Sequence, residues 1–349
     1  MEGDRLAAFP EAPALEAEFK DFNDLAQATS GWNLVYTQAA GGAFSGSIRM
    51  AATPALQIVV QNWSAPLMVE GEQPRNMASI AMTMSASGGA RWKGLDLDPH
   101  ASVFGGSQGH EVDFRSLGEM EIMAVSMSHT LLDRHLGALF GIDGMTLGSE
   151  LLWRIPHGTA GVPERGRALD LLRAVLANGA ASSEAARHHL EEAVMQILLG
   201  GLQIEPRQGL VSNRQRSRIV RLAEEVLRAR LNDPPSLSEL CGLTAVSERV
   251  LQLAFQHVHG VSPKRYLRIL RLNAARRKLR RCEGTVTEIA ADLGFFHFAR
   301  FAMEYRELFH QLPSETLRQA RLEHGMTPRP SDGRCDPPAP RTASAGLPA

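Results

Sequence analysis

A pattern of two helices joined by a tight turn occurs twice in this 349-residue chain, and it constrains the fold more than any other feature. The first copy begins with SLSEL at 236–240 and the second with TVTEI at 285–289. In each, a Ser or Thr stands three residues before a Glu, which is the arrangement of a helix capping box. A second helical segment follows, SERVLQLAFQHV at 247–258 and HFARFAMEYREL at 297–308. The sequence therefore predicts a duplicated helix-turn-helix, whose second helix typically enters the DNA major groove.

A basic segment, SPKRYLRILRLNAARRKLRR at 262–281, connects the two copies. Ser262 is a good N-cap residue and Pro263 suits the first helical position. About 20 helical residues span about 30 Å, close to the ~34 Å between successive major-groove faces. We therefore expect this helix to hold both second helices against one side of a duplex. Its basic residues point all around the helix, so only some can meet phosphates: Lys264, Arg265, Arg268, Arg271, Arg276, Arg277, Lys278, Arg280 and Arg281.

Charge is distributed unevenly along the chain, although the net charge is only −1. Residues 1–213 contain 14 Lys and Arg against 24 Asp and Glu, whereas residues 214–321 contain 20 against 11. An acidic body joined to a basic C-terminal module favours a polyanionic partner for that module. The alternative is the solvated surface of an Arg-rich helical domain.

Cysteine spacing and hydropathy point to a cytoplasmic protein. Cys241, Cys282 and Cys335 have neither paired nor metal-type spacing, so we expect free thiols in a reducing compartment. No run of about 18 apolar residues predicts a membrane span, and the acidic N-terminus does not resemble a secretory leader.

Short strands are predicted between residues 31 and 127, because partly alternating apolar segments are separated there by Gly, Pro or Asp. These segments are NLVYTQ, SIRMAA, LQIVVQNW, SIAMTM, EVDFRS and EIMAVSM, and their pitch suggests an all-β barrel or jelly roll. Helices are predicted at Ser128–Phe140, Arg165–Leu176 and Ser183–Leu202. The apolar stripes of the last two either pack within the chain or form a dimer seam.

Residues 217–318 resemble the AraC/XylS family of bacterial transcription regulators. The similarity is carried by GVSPKRYLRILRLNAARRKL and by TVTEIAADLGFFHFARFAMEYRELFHQLPSETLR, whose GFFHFARFAMEYRELF form is most similar to regulators of ethanolamine operons. The resemblance implies a DNA-binding regulator, commonly an activator that acts with RNA polymerase. It also implies an N-terminal sensor domain that binds a small-molecule effector and forms a homodimer. Three positions depart from the family pattern, namely Ala245 and His310 in place of Gly, and Phe296 in place of a Ser-like cap, with His297 as a poorer cap.

The expected fold class is α+β, with a β-rich, cupin-like N-terminal domain and an all-α C-terminal domain of two helix-turn-helix units. The expected divisions are a lead-in at 1–30, a sensor and dimerisation domain at 31–204, a linker at 205–213, the DNA-binding domain at 214–322 and a disordered tail at 323–349. The tail assignment follows from its Pro, Ala and Ser content.

Candidate DNA-contacting residues lie on the two second helices. By family position, Arg249 and Gln252 are the leading base contacts, since Arg pairs with guanine and Gln with adenine. The alternative is that they meet phosphate or solvent. We expect the first unit to set most of the sequence preference and the more apolar second unit mainly to position the protein. The full set is Ser247, Glu248, Arg249, Gln252, Leu253, Gln256, His297, Phe298, Ala299, Arg300, Ala302, Met303 and Arg306.

The N-terminal half offers a less specific signal for a ligand. Aromatic and Met side chains either line a small-molecule pocket or form ordinary β core: Trp32, Tyr36, Trp63, Trp92, Met50, Met68, Met82, Met84, Met123 and Met127. His100, His110 and Glu111 lack the His-x-His spacing of cupin metal sites, so neither metal nor cofactor is expected. Two alternatives remain open: a cupin-like enzyme that carries a DNA-binding module, and a DNA-binding dimer without an effector.

Overall fold

Two antiparallel sheets and a cluster of helices make up the protein. The computed structural model describes residues 15–29, 31–74, 77–97, 102–106, 111–140, 151–154, 170, 184–199 and 211–325. The predicted α+β class is confirmed, with strands in the N-terminal half and helices in the C-terminal half. No helix within these ranges has the length and hydropathy needed to cross a membrane.

The larger sheet has seven described strands in the order β1-β3-β4-β11-β6-β9-β12. In sequence order they are β1 Leu15–Phe19, β3 Gly46–Ala52, β4 Leu56–Trp63, β6 Met77–Ala86, β9 Ser102–Gly106, β11 Met120–Ser128 and β12 Leu151–Arg154. The smaller sheet has five in the order β2-β5-β10-β7-β8. They are β2 Asn33–Gln38, β5 Leu67–Glu72, β7 Ala90–Trp92, β8 Leu95–Leu97 and β10 Glu111–Ser116. All six predicted strands are present, and the cupin-like assignment stays a prediction.

Aromatic side chains pack the inner faces of the two sheets against each other. Trp63 of the larger sheet makes edge contacts with Tyr36 and Phe114 of the smaller one, at centroid distances of 6.2 and 6.3 Å. Phe104 stacks on Phe114 at 5.3 Å. These pairs join the two layers into one core, since aromatic contacts contribute beyond their buried area.

Residues 15–29, which the sequence assigned to a lead-in, belong to the fold instead. β1 pairs antiparallel with β3, and helix α1 (Phe22–Ala28) buries Phe22 and Leu25 in the core between the sheets. Asp21 caps this helix, and its carboxylate accepts the backbone N–H of Asn23 at 2.8 Å. The polar residues of the segment concealed its two anchoring apolar side chains.

Two helices cover the outer face of the larger sheet. They are α2 (His129–Phe140), capped by Ser128 as predicted, and α3 (Glu184–Leu199). Leu190, Val194 and Leu198 of α3 pack in one cluster with side chains of the sheet. The apolar face of this helix therefore packs against side chains of the same chain. The helix predicted at Arg165–Leu176 lies outside the described residues except for position 170.

Seven helices form the described C-terminal region. They are α4 Val211–Ala229, α5 Leu237–Thr244, α6 Glu248–His259, α7 Pro263–Arg280, α8 Val286–Asp292, α9 Phe298–Phe309 and α10 Pro313–Glu323. Both predicted capping boxes are present, with Ser236 paired to Glu239 and Thr285 to Glu288. Helix α4 begins at Val211, inside the segment assigned to a linker, and α10 ends one residue beyond the expected domain end.

Three non-glycine residues at the ends of the described helices adopt the left-handed conformation that glycine normally supplies. One is Cys282, two residues after the end of α7, with φ of 56°. Ala245 ends α5 with φ of 53°, and His310 ends α9 with φ of 53°. The corresponding end of α6 has Gly260, with φ of 71°. Both departures from the family pattern thus retain the glycine-type turn.

Candidate nucleic-acid interface

Helix α6, the second helix of the first unit, buries one face and exposes the other. Leu251 and Phe255, one helical turn apart, are buried, whereas Val250 is 42% exposed. The Ser247 hydroxyl caps the helix by accepting the backbone N–H of Val250 at 3.4 Å. All six candidate residues of this unit are exposed: Ser247, Glu248, Arg249, Gln252, Leu253 and Gln256.

One leading base-contact candidate already has a partner within its own helix. The Gln252 side-chain amide donates to Glu248 Oε1 at 2.9 Å, one turn away. A contact between Gln252 and a base therefore requires this hydrogen bond to be exchanged. The Arg249 side chain is exposed on the same helix without such a contact in the described structure.

Helix α9, the second helix of the second unit, presents a different surface. Phe301 and Tyr305 are fully buried, as predicted. Phe298, predicted to face the groove, is half-buried and packs against the core, whereas the preceding Phe296 is 78% exposed. Phe298 is the first residue of the helix, after the N-cap His297, and its contact with DNA stays a prediction. The other candidates of this unit are exposed or half-exposed: His297, Ala299, Arg300, Ala302, Met303 and Arg306.

Charge on α9 is partly neutralised within the protein. His297 makes no side-chain capping bond, so it is a poor cap, as expected. Arg300 Nε donates to Glu304 Oε1 at 2.8 Å, and Arg268 of α7 pairs with the same carboxylate. Arg306 remains exposed near the C-terminal end of the helix.

Helix α7 is shared by the cores of both units. Tyr266, Ile269 and Leu270 pack with α4, α5 and α6, while Leu272 and Leu279 pack with α8, α9 and α10. Its 18 residues correspond to a length of about 27 Å at 1.5 Å per residue. One helix therefore belongs to both units, and its placement of both exposed helices on one side of a duplex stays a prediction.

Most cations of α7 have partners inside the protein. Arg276 is buried and donates to Asp21 Oδ2 from Nε and Nη2, at 3.0 and 2.8 Å. Arg280 pairs with Asp21 and Asp24 at 2.9 Å. Burial acts to raise the pKa of Asp21, but the positive charges of Arg276 and Arg280 help to lower it below its ordinary value. Lys264 and Arg265, at the first turn, stay exposed. At the opposite end of the helix, the C-cap residue Arg281 is exposed as well, with its side chain 3.6 Å from Glu283.

The N-terminal half touches the second unit through a strand end as well. Asn273 of α7 is fully buried, and its side chain bonds both backbone groups of Gln38 at 2.9 and 3.0 Å. The Gln38 side chain in turn donates to the Leu308 carbonyl of α9 at 2.8 Å. Phe22 stacks on Phe309 at 6.2 Å, so the two halves share an apolar core.

A buried polar cluster joins the smaller sheet to the first unit; its members are Glu70, Arg115, Glu224, Arg228, His259 and Tyr266. Arg115 of β10 donates to Glu224 Oε1 of α4 at 2.9 Å, and its other terminal nitrogen lies 3.1 Å from His259 Nε2. Arg228 pairs with Glu70 of β5 and donates to Tyr266 Oη at 2.8 Å. Burial raises the pKa of Glu224 to about 7, although Arg115 opposes this shift. Burial likewise raises the pKa of Glu70.

One further contact between the halves reaches the end of α6 directly. Arg91 of β7 donates from Nη1 to the Val258 carbonyl at 3.1 Å. A cation near the last carbonyls of a helix is favourable, because these groups have no partner within the helix. The smaller sheet thereby caps a helix that carries leading DNA-contact candidates.

A cavity of about 70 Å³ lies between the two sheets. We call it the chamber. The four aromatics named as candidates for either a pocket or ordinary core, Trp32, Tyr36, Trp63 and Trp92, all line it, together with Phe104 and Phe114, and three of the four are also buried in the core. None of the Met residues in that expectation does; Met82, Met123 and Met127 belong to the outer core, and Met68 packs against the first unit. Among the described residues that line the chamber, none carries a charge.

Within the described ranges, no three His, Cys, Asp or Glu side chains are grouped closely enough to hold a metal ion. His100 and His110 lie outside those ranges, and Glu111 begins β10 as an exposed residue.

The geometry agrees with comparisons to known proteins. Residues 240–319 match the family described as a helix-turn-helix domain. A probable thc operon regulatory protein of Rhodococcus erythropolis is 43% identical over 103 residues, which are 29% of this chain and 31% of that protein. A XylDLEGF operon transcriptional activator of Pseudomonas putida is 40% identical over 109 residues, 30% and 33% of the two chains. The C-terminal region is an AraC-type helix-turn-helix domain.

The match spans about a third of the length of these curated relatives. A solved structure of a probable AraC family transcriptional regulator from Rhodopseudomonas palustris is 36% identical and covers 29% of this chain and 96% of that one. Its TM-score is 0.28, too low to compare the two folds. The names of these relatives do not bear on the ethanolamine subgroup, which stays a prediction.

The raised pKa of Glu224 predicts a specific pH dependence of stability. The folded protein holds this proton more tightly than the unfolded chain, so the contribution of Glu224 to the free energy of unfolding is lost as pH rises from the ordinary value of 4.5 to about 7. We expect Glu224→Gln, which cannot ionise, to gain stability relative to the parent across that window. Urea unfolding of both proteins at several pH values measures the difference.

The neighbouring Glu225 provides the control, because it lies on the same helix but is exposed. Glu225→Gln shows what the loss of an exposed carboxylate from this helix does to stability at each pH. A difference between Glu224→Gln and the parent that is constant from pH 4.5 to 7 would contradict the shifted pKa.

Proposed function

We propose that the protein is a sequence-specific DNA-binding transcription regulator that responds to a small molecule. The observation that carries this proposal is the pair of exposed recognition helices, α6 and α9, mounted on one shared helix. The division into a sensor domain and a DNA-binding domain is part of the proposal, with the boundary before Val211. The residues before Val211 act as the sensor, and no catalytic role is assigned to them.

The first unit supplies the polar base readout in this proposal. Arg249 pairs with guanine, and Gln252 pairs with adenine after releasing Glu248. Ser247 and Gln256 flank these positions on the exposed face of α6. His297, Arg300 and Arg306 of the second unit, together with Lys264 and Arg265 of α7, hold phosphates and set the register.

The chamber is the proposed effector site. Its aromatic lining and lack of described charged groups favour a small, uncharged, largely apolar ligand. A cavity of about 150 Å³ is known to hold benzene, so a chamber of about 70 Å³ admits even a single ring only if the sheets move apart. Ligand binding therefore has to displace the strands that line it.

Strand alternation connects that displacement to the DNA-binding domain. Val69, Phe114 and Trp92 are cross-strand neighbours that line the chamber. The adjacent row of the same strands is Met68, Arg115 and Arg91, and it contacts the first unit. Successive residues of a strand point to opposite faces, so the inner row cannot shift without the outer row. We therefore assign effector coupling to these two rows.

The remaining parts of the proposal rest on the names of relatives. Because relatives are named transcriptional activators, we assign activation, in contact with RNA polymerase, to this protein as well. We also assign it a homodimeric state and a cytoplasmic location, where it meets promoter DNA.

The DNA-binding proposal is tested by selection of duplexes from a random pool by the full chain. We expect a defined motif, with affinity that falls steeply as salt rises because phosphate contacts release counterions. Arg249→Ala should relax the preference at one base pair by about 1–3 kcal/mol. Arg221→Ala is the matched control, since it removes an exposed charge from α4, where Arg221 lies near Glu225 at 3.9 Å. Recovery of no preferred duplex contradicts the proposed function.

The coupling proposal is tested with uncharged single-ring compounds such as toluene, phenol and indole. Three tryptophans line the chamber, so intrinsic fluorescence reports binding. For any compound that binds, we expect a change in DNA affinity in the parent and a smaller change in Arg91→Ala, which still binds the compound. Arg49→Ala, which removes a cation from the other sheet, should respond like the parent. An undiminished response in Arg91→Ala contradicts the assigned rows.

A further inference from the structure

Large apolar side chains are exposed at equivalent positions of the two recognition helices. Leu253 of α6 is 58% exposed and Met303 of α9 is 63% exposed. Each stands two residues after a buried anchor, Leu251 in the first helix and Phe301 in the second. The duplication has therefore kept an aliphatic side chain at the same exposed position, although the described protein packs nothing over it.

The second unit extends this apolar surface while losing polar groups. Where α6 has Arg249 and Gln252, the equivalent positions of α9 are Ala299 and Ala302. Phe296 stands just before this helix and is 78% exposed, the largest exposure among the large hydrophobic side chains of the described structure.

DNA offers a matching partner for such a surface. The thymine C5-methyl group is the apolar feature of the major groove, and it distinguishes thymine from the other bases there. The basic balance of residues 214–321 and the exposed Arg306 on α9 favour a polyanion over a protein or lipid partner. A side chain that is exposed in the free protein and buried in the complex adds the free energy of apolar burial to DNA binding.

We propose that Leu253, Met303 and Phe296 read thymine C5-methyl groups, so that both units select thymine by apolar contact. The inference rests on the proposed function and specifies how the second unit, taken at first as a positioning element, discriminates sequence. Leu253 adds one such contact to the polar readout of α6, whereas α9 relies on Met303 and Phe296.

The expected effect per contact follows from the size of a methyl group. Burial of one CH₂-sized group contributes about 0.8 kcal/mol, which corresponds to about a fourfold change in affinity. This is smaller than the discrimination of a bidentate Arg–guanine pair, so the first unit still sets most of the preference.

The test uses the duplex that the full chain selects, with single thymines replaced by deoxyuridine, which lacks only the methyl group. We call the stretch of duplex that one unit contacts a half-site. In the parent, we expect about a fourfold loss of affinity when deoxyuridine replaces any of one or more thymines in each half-site. Met303→Ala and Phe296→Ala should each abolish the difference at a thymine of the second half-site, and Leu253→Ala at one of the first. These side chains are exposed, so their removal leaves the core intact.

Leu322→Ala is the matched control, because Leu322 is a 61% exposed aliphatic residue on α10. It should retain every thymine–deoxyuridine difference of the parent. A parent that selects a duplex but binds it equally well with deoxyuridine at every thymine overturns the inference and leaves the proposed function standing. The inference is likewise overturned if the thymine–deoxyuridine difference of the parent persists in full in Met303→Ala, Phe296→Ala and Leu253→Ala. A full chain that selects no duplex overturns the proposed function itself.

Discussion

The structure depends on one helix that belongs to two cores. Tyr266, Ile269 and Leu270 anchor the N-terminal half of α7 in the first unit, and Leu272 and Leu279 anchor its C-terminal half in the second. Protein interiors are close-packed, so neither unit can rotate about this rod without opening its own core. The distance and relative orientation of the two recognition helices are therefore properties of α7.

The same packing joins the N-terminal half to both units. Asn273 and Arg276 of α7 are buried against Gln38 and Asp21 of the N-terminal half. The smaller sheet separately holds the first unit through the buried polar cluster and through Arg91 at the end of α6. A buried charge that loses its partner is costly. A displacement of the smaller sheet is thus transmitted to the first unit, because replacing these buried contacts by contacts with water would be costly.

Local features of the fold could be predicted because they have local causes. The capping boxes at Ser236 and Thr285 depend only on residues three positions apart, and both are present. His297 caps α9 without a side-chain hydrogen bond, as its residue type predicts. The pairing of Asp21 with Arg276 joins residues 255 positions apart, and no pattern in one sequence specifies such a contact. The contacts of the two rows of the smaller sheet could not be predicted from the sequence either, because tertiary packing determines what each face of the sheet meets.

The central claim is that α7 holds two DNA-reading helices on one side of a duplex, one helical turn apart. Hydroxyl-radical footprinting of the full chain on its selected duplex tests this most directly, with 5 and 10 base pairs inserted between the half-sites. For each protomer, we predict two protected stretches on one face, about 10–10.5 base pairs apart between centres. Either insertion should abolish simultaneous protection of both half-sites, because a rod of about 27 Å cannot lengthen or twist to follow them. Two half-sites that stay protected together at either altered spacing would contradict the account.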